Sequence, residues 1–289
     1  MNHTPSVSFE FFPPHSDAAA LDLWSAVRRL GRLSPGFVSV TYGAGGTTRE
    51  RTLATVAKIQ RETDLHAAGH LTCVGADRAE IDAVAETYWQ SGIRHIVALR
   101  GDAPKDAGGY SPRPDGYAYA ADLVAGLKKI GDFRISVAAY PEAHPESTDA
   151  DADIEHLKRK IDAGADDAIT QYFFDTDDYL RYRDRATAAG IEIPIIPGIL
   201  PIHDFAKVAS FSARCGASVP AWLADMFDGL EDDQATRDMV ATSIAAEQCQ
   251  TLQAQGIETF HFYTMNRPDL CYAVCHILGV RPTGFELAA

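Results

Sequence analysis

Residues 7–14 read Val-Ser-Phe-Glu-Phe-Phe-Pro-Pro, an apolar run that two prolines end and a single carboxylate, Glu10, interrupts. A strand alternates its side chains, so Ser8, Glu10 and Phe12 share one face while Val7, Phe9 and Phe11 take the other. An amphipathic pattern follows from Ala18 to Leu30, then Gly31, then a second strand-like run from Phe37 to Thr41. Strand, helix and strand in that order predict parallel pairing through a right-handed crossover.

The same unit recurs along the chain. Further strands are expected at His66 to Leu71, His95 to Leu99, Arg134 to Ala139, Asp167 to Gln171, Ile193 to Ile196 and Thr259 to Tyr263. Helical patterns cover Thr48 to Glu62, Arg78 to Ser91, Ala118 to Ile130, Ala152 to Ala163, Tyr179 to Ala189, Asp204 to Cys215, Gln234 to Gln255 and Arg267 to Leu278. Gly31, Gly92, Gly131, Gly164, Gly190, Gly216, Gly256 and Gly279 stand where helix ends call for a left-handed residue. Eight strand candidates in 289 residues fit a closed (β/α)8 TIM barrel, a single domain spanning 1–289. An open doubly wound sheet would use about five or six strands, and no Gly-x-Gly-x-x-Gly follows an early strand. Ala217 to Asp233 reads as an insertion before the last unit.

Composition narrows the function. At 46% hydrophobic residues the chain buries a large core, and a net charge of -14 argues against nucleic acid or an anionic membrane surface as partner. Anionic ligands must then be held by a few local cations. No leader-like segment opens the chain and no run reaches about 18 apolar residues, so a cytoplasmic protein is expected. Five cysteines without paired CxxC spacing predict reduced thiols and no metal site; Cys271 and Cys275 read as part of a buried helical face.

In such barrels the chemistry sits at the carboxyl ends of the strands. Those ends carry Glu10, Thr41, His70, Thr72, Arg100, Asp102, Tyr140, His144, Gln171, Tyr263, Asn266 and Arg267, a ring suited to a large polar ligand. Glu10 aims inward, where poor hydration raises a carboxyl group's pKa toward that of a general acid. Arg100 has two candidate ion-pair partners, Glu10 and Asp102. Tyr42 to Thr48 is a glycine-rich loop able to face an anion or a flat ring. On the Ala152 to Ala163 helix, Ile154, Leu157 and Ile161 form the inward stripe, and His156, Arg159 and Lys160 gather on another face as a pyrophosphate clamp beside His144.

The motifs SFEFFPP, VTYGAGGTTRERT, HLTC, ALRGD, YAADLV, SVAAYPEAHPES, DAGADDAITQYFFD, IIPGILPI, PAW, MFDGL and HFYTMNRP, in this order from Val7 to Val280, resemble the bacterial methylenetetrahydrofolate reductases. The resemblance implies a barrel holding FAD non-covalently and reducing 5,10-methylenetetrahydrofolate to 5-methyltetrahydrofolate, with NADH or NADPH as donor in a ping-pong cycle. It implies Glu10 as general acid, Asp102 as the carboxylate near flavin and pterin, and Gln171 as an amide that binds folate. FAD would meet Thr41, His70, Arg100, Gly101, Asp102, Tyr119, Ala138, Tyr140, His144, Asp153, His156, Arg159 and Lys160. At position 156 relatives commonly carry Asn, so this histidine departs from their pattern. Phe211, Tyr263 and Arg267 would complete the substrate side with Glu10 and Gln171. A homo-oligomer is implied as well, and no S-adenosylmethionine-binding extension is expected. The competing expectations are another flavin barrel, such as a proline dehydrogenase, and a flavin- or folate-binding subunit without turnover.

Overall fold

The computed structural model describes residues 4–42, 48–103 and 109–283. Its strands and helices alternate in the expected order: β1 (Ser6–Phe11), α1 (Asp17–Gly31), β2 (Phe37–Val40), α2 (Arg49–Glu62), β3 (Ala67–Thr72), α3 (Arg78–Gln90), β4 (His95–Leu99), α4 (Ala120–Ile130), β5 (Arg134–Ala139), α5 (Ala150–Asp162), β6 (Asp167–Thr170) and α6 (Thr176–Ala188). The last part runs β7 (Ile195–Ile196), β8 (Gly198–Ile199), α7 (Phe205–Cys215), α8 (Ala221–Phe227), α9 (Gln234–Ala254), β9 (Thr259–Tyr263) and α10 (Pro268–Ile277). All strand pairs are parallel, in the order β7-β6-β5-β4-β3-β2-β1-β9-β8. This is a (β/α)8 TIM barrel.

Closure depends on the seventh stave. The sequence predicts one strand ending at Ile196; the fold instead divides the stave at Pro197, which has no N–H to donate. β7 pairs with β6 and β8 with β9, so the two halves bridge the ring. Pro197 still accepts at its carbonyl from the His261 N–H, 3.0 Å away.

Alternation sorts the core into two layers. Phe9, Phe11, Val38, Val40, Ile96, Val137, Phe260 and Phe262 point outward and pack beneath the helices. Phe37, Ala68, Val97 and Ile169 point inward and fill the lower barrel. Helices begin at side-chain caps, among them Ser16, Asp77, Asp149 and Asp204. Six of the expected glycine stops have positive φ, but Gly31 ends α1 as a helical residue and Gly131 is extended at φ -172°. Gly131 is needed for space instead, since a Cβ there would meet the Trp89 ring at 2.5 Å.

The insertion holds an extra short helix, α8. Its Leu223 and Phe227 join Phe205, Val208 and Leu270 in a satellite core over the barrel's edge. Among the described residues no helix is long and apolar enough to cross a membrane. The five cysteines are free thiols; burial pushes Cys271 and Cys275 well above the ordinary thiol range.

Candidate functional site

A cavity of about 810 Å³ opens at the carboxyl end of the barrel. It unites Arg100, Gly101, Asp102, Tyr119, Ala138, Tyr140, His144, Asp153, His156, Arg159 and Lys160, eleven of the thirteen positions assigned to FAD by resemblance. Those eleven come from the ends of β4 and β5 and from α4 and α5, so parallel strand order alone gathers them. Thr41 and His70 do not line this cavity. Residues 43–47 of the glycine-rich loop lie outside the described residues.

Several wall residues have partners that the sequence did not indicate. Arg100 pairs with Glu146, rather than with Glu10 or Asp102, and lies 4.3 Å from the Tyr110 ring centroid. Asp153 accepts from the His144 N–H at 2.7 Å and from the Ser147 hydroxyl, so its carboxylate holds the loop after β5 in place. Lys160 leaves the expected basic face and reaches inward: its Nζ donates to the Ala138 carbonyl at 2.6 Å. Burial lowers that ammonium to about 8, a cost that nearby Asp153 partly offsets. His156 and Arg159 stay exposed beside it. Gly101 has φ +88°, and a Cβ there would meet Val74 at 2.4 Å, so the turn that presents Asp102 requires glycine.

The opposite side of the mouth is more closed. Glu10, 14% exposed at its side chain, places Oε2 3.3 Å from His70 Nε2 and 3.7 Å from His261 Nε2. Both imidazoles are buried, and neither Nε2 has a well-directed hydrogen bond within the described protein. Burial raises the Glu10 carboxyl, as expected from sequence, but the charge and close polar contact of His70 and His261 outweigh it and hold the group at about 2. The expected upward shift is therefore corrected: inward aim delivers a carboxylate to two bases, not to an apolar wall.

The seam between β1 and β9 fixes this carboxylate. Register places Ser8 opposite His261 and Glu10 opposite Tyr263. Thr264 donates to the Glu10 carbonyl from its hydroxyl at 2.6 Å and from its N–H at 3.2 Å. Asn266 clasps the next residue but one, accepting from the Phe12 N–H at 2.8 Å and donating to the Phe12 carbonyl at 3.0 Å. Met265 and Asn266 take left-handed φ values of 52° and 56° to make that reach.

The proposed substrate residues do not share one pocket wall: Gln171 lines a second, smaller recess, while Glu10, Phe211, Tyr263 and Arg267 lie outside its lining. Tyr140, Tyr172 and Cys215 line that recess with Gln171. Phe211, 46% exposed, stacks near-parallel on Tyr172 with ring centroids 6.3 Å apart. Tyr263 donates its hydroxyl to the Thr170 carbonyl at 2.6 Å, and Arg267 is exposed at the start of α10. His261, Ser8, Glu146, Tyr110 and Thr264 were not assigned roles from sequence, and Asn266, placed in the strand-end ring, proves to hold backbone. Strand alternation could have found His261 and Ser8, since they share the inward face with Tyr263 and Glu10.

The cavity's chemistry suits FAD. Arg159 and Lys160 bring positive charge to one part of the wall, while Ala98, Gly101 and Ala138 leave room for a flat ring elsewhere. Thr72 Oγ1 on the same wall is buried with no partner in the described protein, a group suited to a polar ligand.

Comparisons with known proteins agree with this geometry. The family described as Methylenetetrahydrofolate reductase matches residues 1–279. The chain is 53% identical over 277 residues to 5,10-methylenetetrahydrofolate reductase of Pectobacterium carotovorum, covering 96% of this chain and 91% of that one. Against the Escherichia coli protein of the same name the identity is 52%, with coverage of 96% and 92%. Among solved structures, a Clostridium thermocellum protein that binds two copies of 5-methyl-5,6,7,8-tetrahydrofolic acid shares the fold, with a TM-score of 0.66, 15% identity and coverage of 96% and 94%.

Proposed function

Because the chain belongs to the methylenetetrahydrofolate reductase family, oxidoreductases of folate one-carbon metabolism, we propose that it binds FAD and uses NADH or NADPH to reduce 5,10-methylenetetrahydrofolate to 5-methyltetrahydrofolate. The product is the methyl donor for methionine synthesis. FAD, when bound, supplies two-electron hydride chemistry between the nicotinamide and the one-carbon unit. The observation that carries the reading is the single cavity uniting Arg100, Asp102, Tyr140, His144, Arg159 and Lys160.

The protein's own groups divide the work. Arg159 and Lys160 hold the pyrophosphate by charge-assisted hydrogen bonds. Glu10 gives a proton to the folate nitrogen at position 10, which makes that nitrogen a better leaving group and opens the five-membered ring. Asp102 supports the cation left on the one-carbon unit. Gln171, and Phe211 through its stack on Tyr172, hold pterin or nicotinamide in turn, which suits a ping-pong cycle. Arg267 receives the glutamyl carboxylate. Trp222 and Met226, exposed on α8, fit a homo-oligomer contact.

Anaerobic titration of the purified protein tests the reading. Loaded with FAD, it should bleach with NADH or NADPH and recover its yellow absorbance on adding methylenetetrahydrofolate. Failure to take up FAD, or bleaching by proline instead of a nicotinamide, overturns it.

A further inference from the structure

Glu10 presents a conflict that the rest of the site leaves open. A proton donor must hold a proton, yet this carboxyl is surrounded by groups that favour its ionised form. The geometry around it supplies a resolution, one that rests on the reductase reading above.

Both histidines direct Nε2 at the same oxygen, Glu10 Oε2. His261 is fixed from behind: its Nδ1 lies 2.8 Å from Ser8 Oγ, and the Ser8 hydroxyl donates to the Phe260 carbonyl at 3.3 Å. With its own hydrogen directed to that carbonyl, the serine oxygen accepts from Nδ1–H. Nε2 of a neutral His261 is then a bare base facing Glu10. The ring is further held by Phe37, stacked with centroids 5.5 Å apart at 17°.

We propose that Glu10, His70 and His261 hold the catalytic proton jointly, and that Ser8 and His261 are positioning residues which set the donor strength of Glu10. The proton has two placements: carboxylate beside imidazolium, or carboxylic acid beside neutral imidazole. The first is the resting form, and exclusion of water by bound folate favours the second, because it leaves no separated charges to solvate. Glu10 Oε2–H then gives its proton to the folate nitrogen, the electron pair of the breaking C–N bond goes to that nitrogen, and a carboxylate remains. After product leaves, Nε2 of the neutral imidazole takes a proton from water, which returns the cluster to carboxylate beside imidazolium.

The remaining titratable neighbours do not compete for this proton. His95 on β4 is buried and held near 3, so it stays neutral. Tyr263 on β9 is raised well above the ordinary phenol range by burial, with Glu10 adding to the shift. Ser39 on β2 and Thr72 on β3 bring hydroxyls only.

His261→Gln keeps a polar group near Glu10 but carries no charge, so Glu10 should hold its proton to higher pH. The expected result is that the folate half-reaction of pre-reduced enzyme falls off at a pH higher by about one unit or more than in the parent. Ser8→Ala should move it the same way by less, and flavin reduction by NADH should keep its parent pH profile in both. An unchanged midpoint in His261→Gln overturns the proposal. Imidazole nitrogen NMR of the cofactor-free protein gives a second test that survives poor folding of either variant. Glu10→Gln should alter the titration of the His261 Nε2 signal, and an identical titration in that variant overturns the proposal. A parent enzyme that never reduces methylenetetrahydrofolate defeats the reductase reading, while the NMR titration still decides the cluster.

Discussion

The two halves of the barrel mouth are built on opposite plans. Around β1, β3 and β9 the side chains are buried or nearly so, with Glu10 held between two histidines and its carbonyl fixed by Thr264. Around β4, β5 and α5 the wall is open, exposed and charged, and encloses about 810 Å³. The first arrangement suits moving a proton, which needs a fixed donor in a poorly hydrated place. The second suits holding a large anionic ligand, which needs room and positive charge more than rigid geometry. A net charge of -14 makes the contrast sharper, because the cations of the open wall are local exceptions to an acidic surface.

The largest test of this division is Glu10→Gln. The variant should retain FAD and its reduction by NADH, since Glu10 does not line the large cavity, and lose folate reduction by roughly 100-fold or more. Stopped-flow measurement of the two half-reactions separates them. Parent-like folate reduction would make Glu10 a structural carboxylate and end the distinction between the halves.

The open wall has its own pH signature. Lys160 must be charged to meet a phosphate, and burial lowers its ammonium to about 8 in the cofactor-free protein. Above that value binding must take up a proton, so the FAD dissociation constant should rise with pH by up to about tenfold per unit. Below it, affinity should be flat with respect to this group. Lys160→Met should weaken FAD binding by roughly tenfold or more at pH 7 and remove the rise above 8. The stability sign is opposite: the unfolded chain keeps the lysine protonated to about 10.5, so the cofactor-free fold gains stability between about 8 and 10.5. Fluorescence titration of FAD across this range measures the first effect. A flat profile in the parent would place the phosphate away from Lys160.

Strand and helix order was legible in the sequence because Glu10, Phe37 to Thr41, His95 to Leu99 and Arg134 to Ala139 lie in clear alternating runs between helical patterns. The division at Pro197 was not, since β7 and β8 hold two residues each and exist only by pairing across the closing ring. Site membership was legible where one strand end carries the residue. Charge states were not. The lowered Glu10 depends on His70 and His261, which are 60 and 251 residues away in sequence. Lys160 shows the same limit: helical periodicity places it on a face, but it cannot say that a long side chain bends back to Ala138.

The smallest expected effect lies at the clasp between the strand ends. Asn266→Ala removes two hydrogen bonds to Phe12 and leaves a side chain with less liking for the left-handed φ of 56°. The expected cost is about 1–2 kcal/mol in chemical denaturation, with folate reduction lowered by less than about tenfold and FAD affinity unchanged. Asn266→Gly relieves the backbone while still lacking both bonds, so its loss measures the clasp alone. If Asn266→Gly were as stable and active as the parent, Thr264 alone would hold the seam. If Asn266→Ala instead lost FAD as well, the two halves of the mouth would be mechanically joined rather than separate, because the clasp touches only the closed one.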